Sequence, residues 1–456
     1  MINPEIFREY DIRGIASRDL VPEVAGRLGL AIGTYLQAAG EGRAIVGMDN
    51  RASSPDIKEN VIAGILETGC NVVDIGLVVT PAFYYSIILY DIGGGAMITA
   101  SHNPPEFNGM KVACGHSTIY GDEIQTLRRL AESGDFKRGH GNLSSDDPRD
   151  SYINMIIEKV KLGPRRLKVV VDCGNGTASL FAPRLIEGLG CDVIPLYCDS
   201  DPTFPNHFPD PVRPANLTDL IQAVREKEAD LGVSFDGDGD RIGVVDEKGN
   251  IIWGDRLMIL FWREILPKYP GTTAIVEVKC SQALVEEVER LGGKPMFYRT
   301  GHSLIKAKMK EIGAVFTGEM SGHMFFADEY FGFDDALYAA ARLLRILSNT
   351  DKSLSDLLSD VPYYPSTPET RVKCPDNVKF RVVESVRDHF KARYPVVDVD
   401  GARVLFPDGW GLVRASNTGP ELVMRCEAKN EAALERIKGE MAGEVERHPG
   451  VGDIEW

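Results

Sequence analysis

The chain has 456 residues, enough for about three or four domains. Lys and Arg number 51 against 67 Asp and Glu, a formal charge of -16, which repels nucleic acid and anionic membrane and sets both aside as partners. No apolar run reaches membrane-spanning length, and the first residues lack the basic-then-apolar order of a signal peptide. The eight cysteines are scattered without a Cys-x-x-Cys pair, so they read as reduced, buried thiols of a cytoplasmic protein.

Strand-like runs alternate with longer helical stretches along most of the chain. Ala44-Ile-Val-Gly-Met48, Asn71-Val-Val-Asp-Ile75, Leu167-Lys-Val-Val-Val-Asp172 and Thr273-Ala-Ile-Val-Glu-Val278 are such strands. The alternation predicts α/β units with mainly parallel sheets. Ahead of them, Tyr10-Asp-Ile-Arg13-Gly sets an arginine beside a glycine turn, which is not diagnostic alone.

Ala96-Met-Ile-Thr-Ala-Ser101-His-Asn-Pro-Pro runs an apolar strand into a serine, with two prolines stiffening the exit. A serine at a strand end is placed to act as nucleophile or phosphate carrier; an ordinary Ser/Asn turn has the same letters. No Gly-x-Ser-x-Gly elbow favours an acyl hydrolase. Lys111, ten residues on, is close enough in sequence to return to the same place. Gly139 to Asp150 is polar and Gly/Ser/Asp-rich, a linker candidate.

Ser234-Phe-Asp236-Gly-Asp238-Gly-Asp240-Arg241 is the strongest segment. Three carboxylates alternate with glycines between two apolar strands, Leu231-Gly-Val-Ser-Phe235 and Ile242-Gly-Val-Val245. Uncompensated, they repel one another. A hard divalent cation such as Mg²⁺, held by carboxylates and a substrate phosphate, removes that penalty. An EF-hand is excluded, because Arg241 holds the sixth position, where the loop needs glycine, and strands flank it rather than helices. A turn at Glu247-Lys-Gly-Asn250 closes this unit.

Further on, Thr300-Gly-His302 places a histidine after a glycine turn. In Phe316-Thr-Gly-Glu319-Met-Ser321-Gly-His323, Glu319 and Ser321 share a side if the backbone is extended, and would suit adjacent sugar hydroxyls. A polar turn before an aromatic strand explains the segment as well. Prolines at 362, 365 and 368 separate a last unit, which carries the helix Glu431 to Met441. In it, Arg414-Ala-Ser416-Asn417-Thr418 offers a dense set of donors on a Gly/Pro-bounded loop, apt for a phosphate oxyanion, though an ordinary capped turn uses the same residues. No P-loop motif is present.

Taken together and in this order, the segments resemble the α-D-phosphohexomutase superfamily, most closely its bacterial phosphomannomutase/phosphoglucomutase branch. Thr99-Ala-Ser-His-Asn-Pro104 is similar to its phosphoserine loop and Asp236 to Arg241 to its metal loop. Gly318-Glu-Met-Ser-Gly-His323 is similar to its sugar loop, and Arg414 to Thr418 to its phosphate loop. The resemblance implies three similar mixed-sheet α/β domains (1–146, 147–248 and 249–362) and a smaller C-terminal α+β domain (363–456) around a central cleft. It implies that Ser101 carries the phosphoryl group and that Asp236, Asp238 and Asp240, with a phosphoserine oxygen, hold Mg²⁺. Arg13, Lys111 and Arg241 would supply positive charge, and Lys111 and His302 would transfer protons. Tyr10, Lys279, Glu319, Ser321, His323, Arg414, Ser416, Asn417 and Thr418 would bind substrate.

The activity implied is interconversion of hexose 1- and 6-phosphates of mannose or glucose through a hexose 1,6-bisphosphate, with glucose 1,6-bisphosphate as activator, by a monomer. Met320 favours this branch over phosphoglucosamine mutases, which typically carry Gln there. An Asp-nucleophile phosphatase lacks support, since the Thr or Val expected after Asp236-x-Asp238-x is missing. Phosphoglucosamine mutase is the nearest alternative, and a sugar-phosphate binding protein without activity is a further one.

Overall fold

The computed structural model describes residues 2–417 and 419–456. Packing divides the chain into two compact units: residues 1–261 with 321–357, and residues 262–320 with 358–456. The stretch expected as a third domain, 249–362, therefore contributes to both.

The first unit contains two mixed sheets. In one, the strands Arg43–Met48, Asn71–Leu77 and Gly95–Ile98 are parallel, and Phe107–Cys114 runs antiparallel to Gly95–Ile98. Ile12–Ile15 adds antiparallel at that side. The apolar runs noted in the sequence are the central strands, whose residues are buried almost throughout. Helices Pro22–Ala38 and Ser54–Glu67, each with proline in its first turn, where no backbone donor is lost, cover one face.

The second sheet sets Asp192–Leu196, Lys168–Asp172 and Leu231–Phe235 in parallel, then turns back through Ile242–Asp246 and Ile251–Ile252. The expected turn at 247–250 is that last reversal, with Gly249 at φ +81°. In both sheets the peptide returns immediately after a key loop, which brings the loop's two flanks side by side.

The linker candidate 139–150 is not bare coil, since within it Leu143–Ser145 adds a parallel edge strand to Asn71–Leu77. Gly139 packs so close to Gly69 that a Cβ would lie 2.8 Å from its Cα. The strand's three residues are all exposed, so no apolar alternation betrays it.

The second unit holds a parallel pair, Thr273–Glu277 with Lys294–Tyr298, and helices Gln282–Arg290 and His302–Ile312. Its C-terminal part is an antiparallel five-stranded sheet in the order Thr370–Lys373, Glu421–Ala428, Gly409–Ala415, Ala402–Phe406, Val396–Val397. Helices Asp376–Lys391 and Glu431–Val445 share a core with it that includes Val386, Val404, Met424 and Ile437. Among the described residues no helix is long and apolar enough to cross a membrane.

Candidate active site

Ser101 sits just beyond the strand Gly95–Ile98, buried, at φ +52°. A non-glycine residue holds that left-handed conformation only where its surroundings over-determine it. Here its amide donates to Thr99 Oγ1 at 2.8 Å and its carbonyl accepts from Arg51 at 2.7 Å. Arg51, itself 1% exposed, also donates to the carbonyls of Asn103 (2.6 Å), Pro104 (2.7 Å) and Phe107 (3.1 Å) while pairing with Asp49 at 3.2 Å. One guanidinium thus fastens the whole serine loop, using the fork of donors only arginine has.

The acidic loop meets this serine. Ser101 Oγ donates to Asp236 Oδ2 at 2.7 Å and lies 3.0 Å from His102 Nδ1. The approach requires glycine at 237, where a Cβ would come within 2.4 Å of the Ser101 carbonyl oxygen. Asp236, Asp238 and Asp240 are all fully buried, and one oxygen from each lies within 4.8 Å of the others. Lys111, opposite Met97 in the antiparallel pairing, returns to the same place as its position suggested. Its ammonium donates to Asp238 at 2.9 Å and also to Asp240.

Burial and the neighbouring carboxylates Asp240 and Asp238 push the Asp236 carboxyl well above the usual range. Burial would do the same to Asp238, but Lys111 overrides it and holds that group low. Burial alone would lower Lys111; Asp238 and Asp240 raise it well above the usual lysine range instead. Asp238 Oδ1 and Asp240 Oδ1 are buried without a hydrogen-bond partner. Buried carboxylate oxygens left in that condition are costly, and a hard cation would satisfy them. The donor set, all carboxylate oxygen beside a serine hydroxyl, fits a metal ion of that kind.

Arg241 and His323 adjoin the cluster. Arg241's amide donates to Asp236 Oδ1 at 3.1 Å and its Nε to His323 Nε2 at 3.0 Å. His323 Nδ1 lies 3.3 Å from Asp334 and 3.6 Å from Asp240. Arg13 donates to Asn103 at 2.7 Å, next to the serine, and pairs with Asp11 at 2.5 Å. Tyr10 is half-buried at the turn before the Arg13 strand.

The remaining expected residues belong to the second unit, except Ser321, which the first unit contains. Lys279 is buried and pairs with Glu369 at 2.8 Å. Burial would lower it; Glu277 and Glu369 hold it above the usual lysine range. Glu277, fully buried and raised by that burial, accepts from Thr300 Oγ1 at 2.5 Å. His302 opens the helix His302–Ile312, and Glu319 accepts from the Gly301 amide at 2.8 Å. Residues 319–323 are not extended. The chain turns through Met320 and Ser321 to Gly322 at φ +94°, so two-residue spacing does not put Glu319 and Ser321 on one strand face.

In the C-terminal sheet Arg414 donates to Asp400 at 2.9 Å, and Asp400 also accepts the Thr300 amide at 3.0 Å. Ser416 is buried and Asn417 half-buried; Thr418 lies outside the described residues. Lys379 Nζ donates to the carbonyls of Ser416 (2.6 Å) and Gly419 (3.0 Å), on either side of this loop.

Arg51, Glu277, Lys379 and Asp400 were not among the residues the motifs singled out. The available signals were faint: a charged Asp-Asn-Arg run directly after a buried strand for Arg51, and a lone acid at the end of an apolar strand for Glu277.

The chain is thus a multidomain α/β protein whose first unit centres on a buried serine among three buried aspartates. Four family models match it in succession: phosphoglucomutase/phosphomannomutase α/β/α domain I at residues 4–138, domain II at 150–249, domain III at 253–364, and the C-terminal domain at 369–444. A phosphomannomutase/phosphoglucomutase of Pseudomonas aeruginosa is 47% identical over 95% of this chain and 94% of its own. A phosphoglucomutase of Neisseria meningitidis is 42% identical over 98% of both. The solved structure of a phosphoglucomutase/phosphomannomutase family protein from Burkholderia thailandensis superposes over the full length of both chains, with a TM-score of 0.94 and 41% identity. The chain belongs to the phosphoglucomutase/phosphomannomutase family.

Proposed function

We propose that the protein is a phosphohexose mutase interconverting the 1- and 6-phosphates of glucose and mannose through a phosphorylated Ser101 and a hexose 1,6-bisphosphate. The observation that carries this reading is the Ser101 hydroxyl 2.7 Å from Asp236 in a buried three-carboxylate cluster. The relatives' names support the same reaction. We assign four domains, 1–146, 147–248, 249–362 and 363–456, and a cytoplasmic monomer.

Phosphoryl transfer asks mainly for positioning and charge neutralisation. Asp236, Asp238 and Asp240 would hold Mg²⁺, which when bound neutralises charge on the transferring group. Phosphoserine 101 gives its phosphoryl group to the free hydroxyl of the sugar phosphate: the serine O–P bond breaks and a sugar O–P bond forms. His302 takes the hydroxyl proton, and the Lys111 ammonium, kept charged by Asp238 and Asp240, gives a proton to the departing serine oxygen. The bisphosphate turns over, and its other phosphate returns a phosphoryl group to Ser101. Arg13, Lys111 and Arg241 supply positive charge, Tyr10, Lys279 and His323 bind substrate, and Glu319 and Ser321 bind O3 and O4. Arg414, Ser416, Asn417 and Thr418 grip the distal phosphate. Since glucose and mannose differ only at C2, a site that reads O3 and O4 accepts both.

The test is conversion of glucose 1-phosphate and mannose 1-phosphate with Mg²⁺ and a trace of glucose 1,6-bisphosphate. Both sugars are expected to turn over, and chelation of the metal to stop the reaction reversibly. Turnover of glucosamine 6-phosphate alone would identify a phosphoglucosamine mutase instead; phosphate release without isomerisation would identify a phosphatase.

Lys379 gives a second prediction. Because its ammonium holds two carbonyls of the phosphate loop, Lys379→Met is expected to raise KM for hexose phosphates about tenfold while lowering kcat less. Steady-state kinetics on both sugars reads this, and Lys379→Arg is expected to recover part of the loss.

A further inference from the structure

Two of the eight cysteines stand apart from the rest. Cys173 ends the strand Lys168–Asp172 and Cys198 follows its parallel neighbour Asp192–Leu196, and their Sγ atoms are 3.5 Å apart. Cys173 is buried and Cys198 half-buried, so Cys198 is the more exposed of the two residues, although its sulfur also faces the carbonyls of Val171 (3.2 Å) and Leu196 (3.4 Å). The Cys173 hydrogen bond holds the Cys198 thiol below its ordinary range, while burial pushes Cys173 up. A thiol of lowered pKa on the more exposed residue, with a second thiol in contact behind it, is the arrangement of an attacking and a resolving cysteine.

The pair is coupled to the acidic loop by a short path. Cys173 leads directly into the turn 174–177, in which Gly174 and Asn175 both have positive φ. The Thr177 amide donates to the Gly237 carbonyl at 3.0 Å, between two of the three aspartates. The same turn is tied to the neighbouring sheet through Asn50, whose Nδ2 donates to the Asn175 carbonyl at 2.7 Å and whose amide donates to Thr177 Oγ1 at 3.0 Å. A disulfide needs the two sulfurs about 2 Å apart, so closing it draws Cys173, and with it this turn, toward Cys198.

We propose that Cys173 and Cys198 form a reversible disulfide on exposure to hydroperoxides, and that closing it slows the enzyme by shifting the turn that supports the Asp236–Asp240 loop. Cys198 sulfur attacks the peroxide's terminal oxygen; the O–O bond breaks, an S–O bond forms, and the alcohol or water leaves with a proton. Cys173 sulfur then attacks the resulting sulfenic acid; the S–S bond forms and the hydroxyl leaves as water with the Cys173 proton. Two thiols are oxidised and one peroxide is reduced. The activity half of the proposal rests on the mutase reading above; the thiol half does not.

The experiment treats the full chain with hydrogen peroxide, alkylates remaining thiols, and reads both peptide masses and mutase turnover. The expected result is a Cys173–Cys198 linked peptide, at least a threefold loss of turnover, and recovery with dithiothreitol. Cys198→Ser and, separately, Cys173→Ala are expected to keep their activity at the same dose. The proposal is overturned if no linked peptide forms at a dose that oxidises the half-buried Cys114, if the linked protein turns over as before, or if both variants are inactivated like the wild type. Absence of turnover before any peroxide is added would instead overturn the mutase reading and leave the mass result to decide the disulfide.

Discussion

Alanine at position 101 is expected to lower mutase turnover by about 10³-fold or more, since it removes the only atom through which the phosphoryl group reaches the protein in the proposed mechanism. The fold should survive the change. Ser101 Oγ hydrogen-bonds Asp236 and His102, and losing such bonds costs about 1–3 kcal/mol each. The informative comparison is therefore turnover against thermal transition: a small shift in melting with near-complete loss of activity in a coupled assay. Ser101→Ala with wild-type turnover would end the phosphoserine assignment and direct attention to the aspartates. Intact mass of the wild-type protein before and after incubation with glucose 1,6-bisphosphate gives an independent check, because the alanine variant should gain no phosphate.

Arg51→Met carries the largest expected effect on stability. The substitution leaves Asp49 buried without its cation and strips donors from the carbonyls of Ser101, Asn103, Pro104 and Phe107. Breaking a buried ion pair from one side costs about 3–5 kcal/mol, and the unpaired carbonyls add to that. A fall of about 10 °C in the first thermal transition is expected, together with loss of activity, since the positive φ at Ser101 is held by this clamp. Arg51→Lys should recover little of either, because a single ammonium cannot reach carbonyls spread across the loop. A methionine variant that melts like the wild type would show that the loop is held by Thr99 and Asp236 alone.

What the sequence made legible follows from where the relevant partners lie. The alternation of Asp236, Asp238 and Asp240 with glycine is a local pattern whose cost is local, so the need for a compensating charge can be read directly. Lys111 could be placed near Ser101 because an antiparallel return over ten residues is short. Arg51 could not, since apart from Asp49 its partners are carbonyls some 50 residues away, and a carbonyl has no letter. Lys379 was hidden for the same reason: besides its ion pair with Asp376 one helix turn away, its ammonium bonds backbone carbonyls of the loop it supports. The spacing of Glu319 and Ser321 allows one face if the backbone is extended and equally allows a polar turn; the chain takes the turn, with a left-handed glycine at 322. The edge strand at 143–145 escaped notice because it is entirely exposed and pairs through backbone alone.

The turn that carries Lys279 has one more lesson. Arg403 donates to the carbonyls of Val278 (2.7 Å) and Cys280 (2.8 Å), and Arg425 to that of Lys279 between them. Arg403 lies sandwiched with its guanidinium carbon 3.7 Å from the Trp410 ring centre and 4.5 Å from that of Phe297. Both arginines come from the last quarter of the chain, beyond the prolines that look so much like a place to cut. Severed there, the earlier piece would keep Lys279 and lose the scaffold of its turn, while the later piece would expose two stranded cations. Modularity in this protein is thus shallower than its four-part sequence suggests. Recombination or truncation at the proline boundary would leave two halves, neither of which can compensate the charges it is left with.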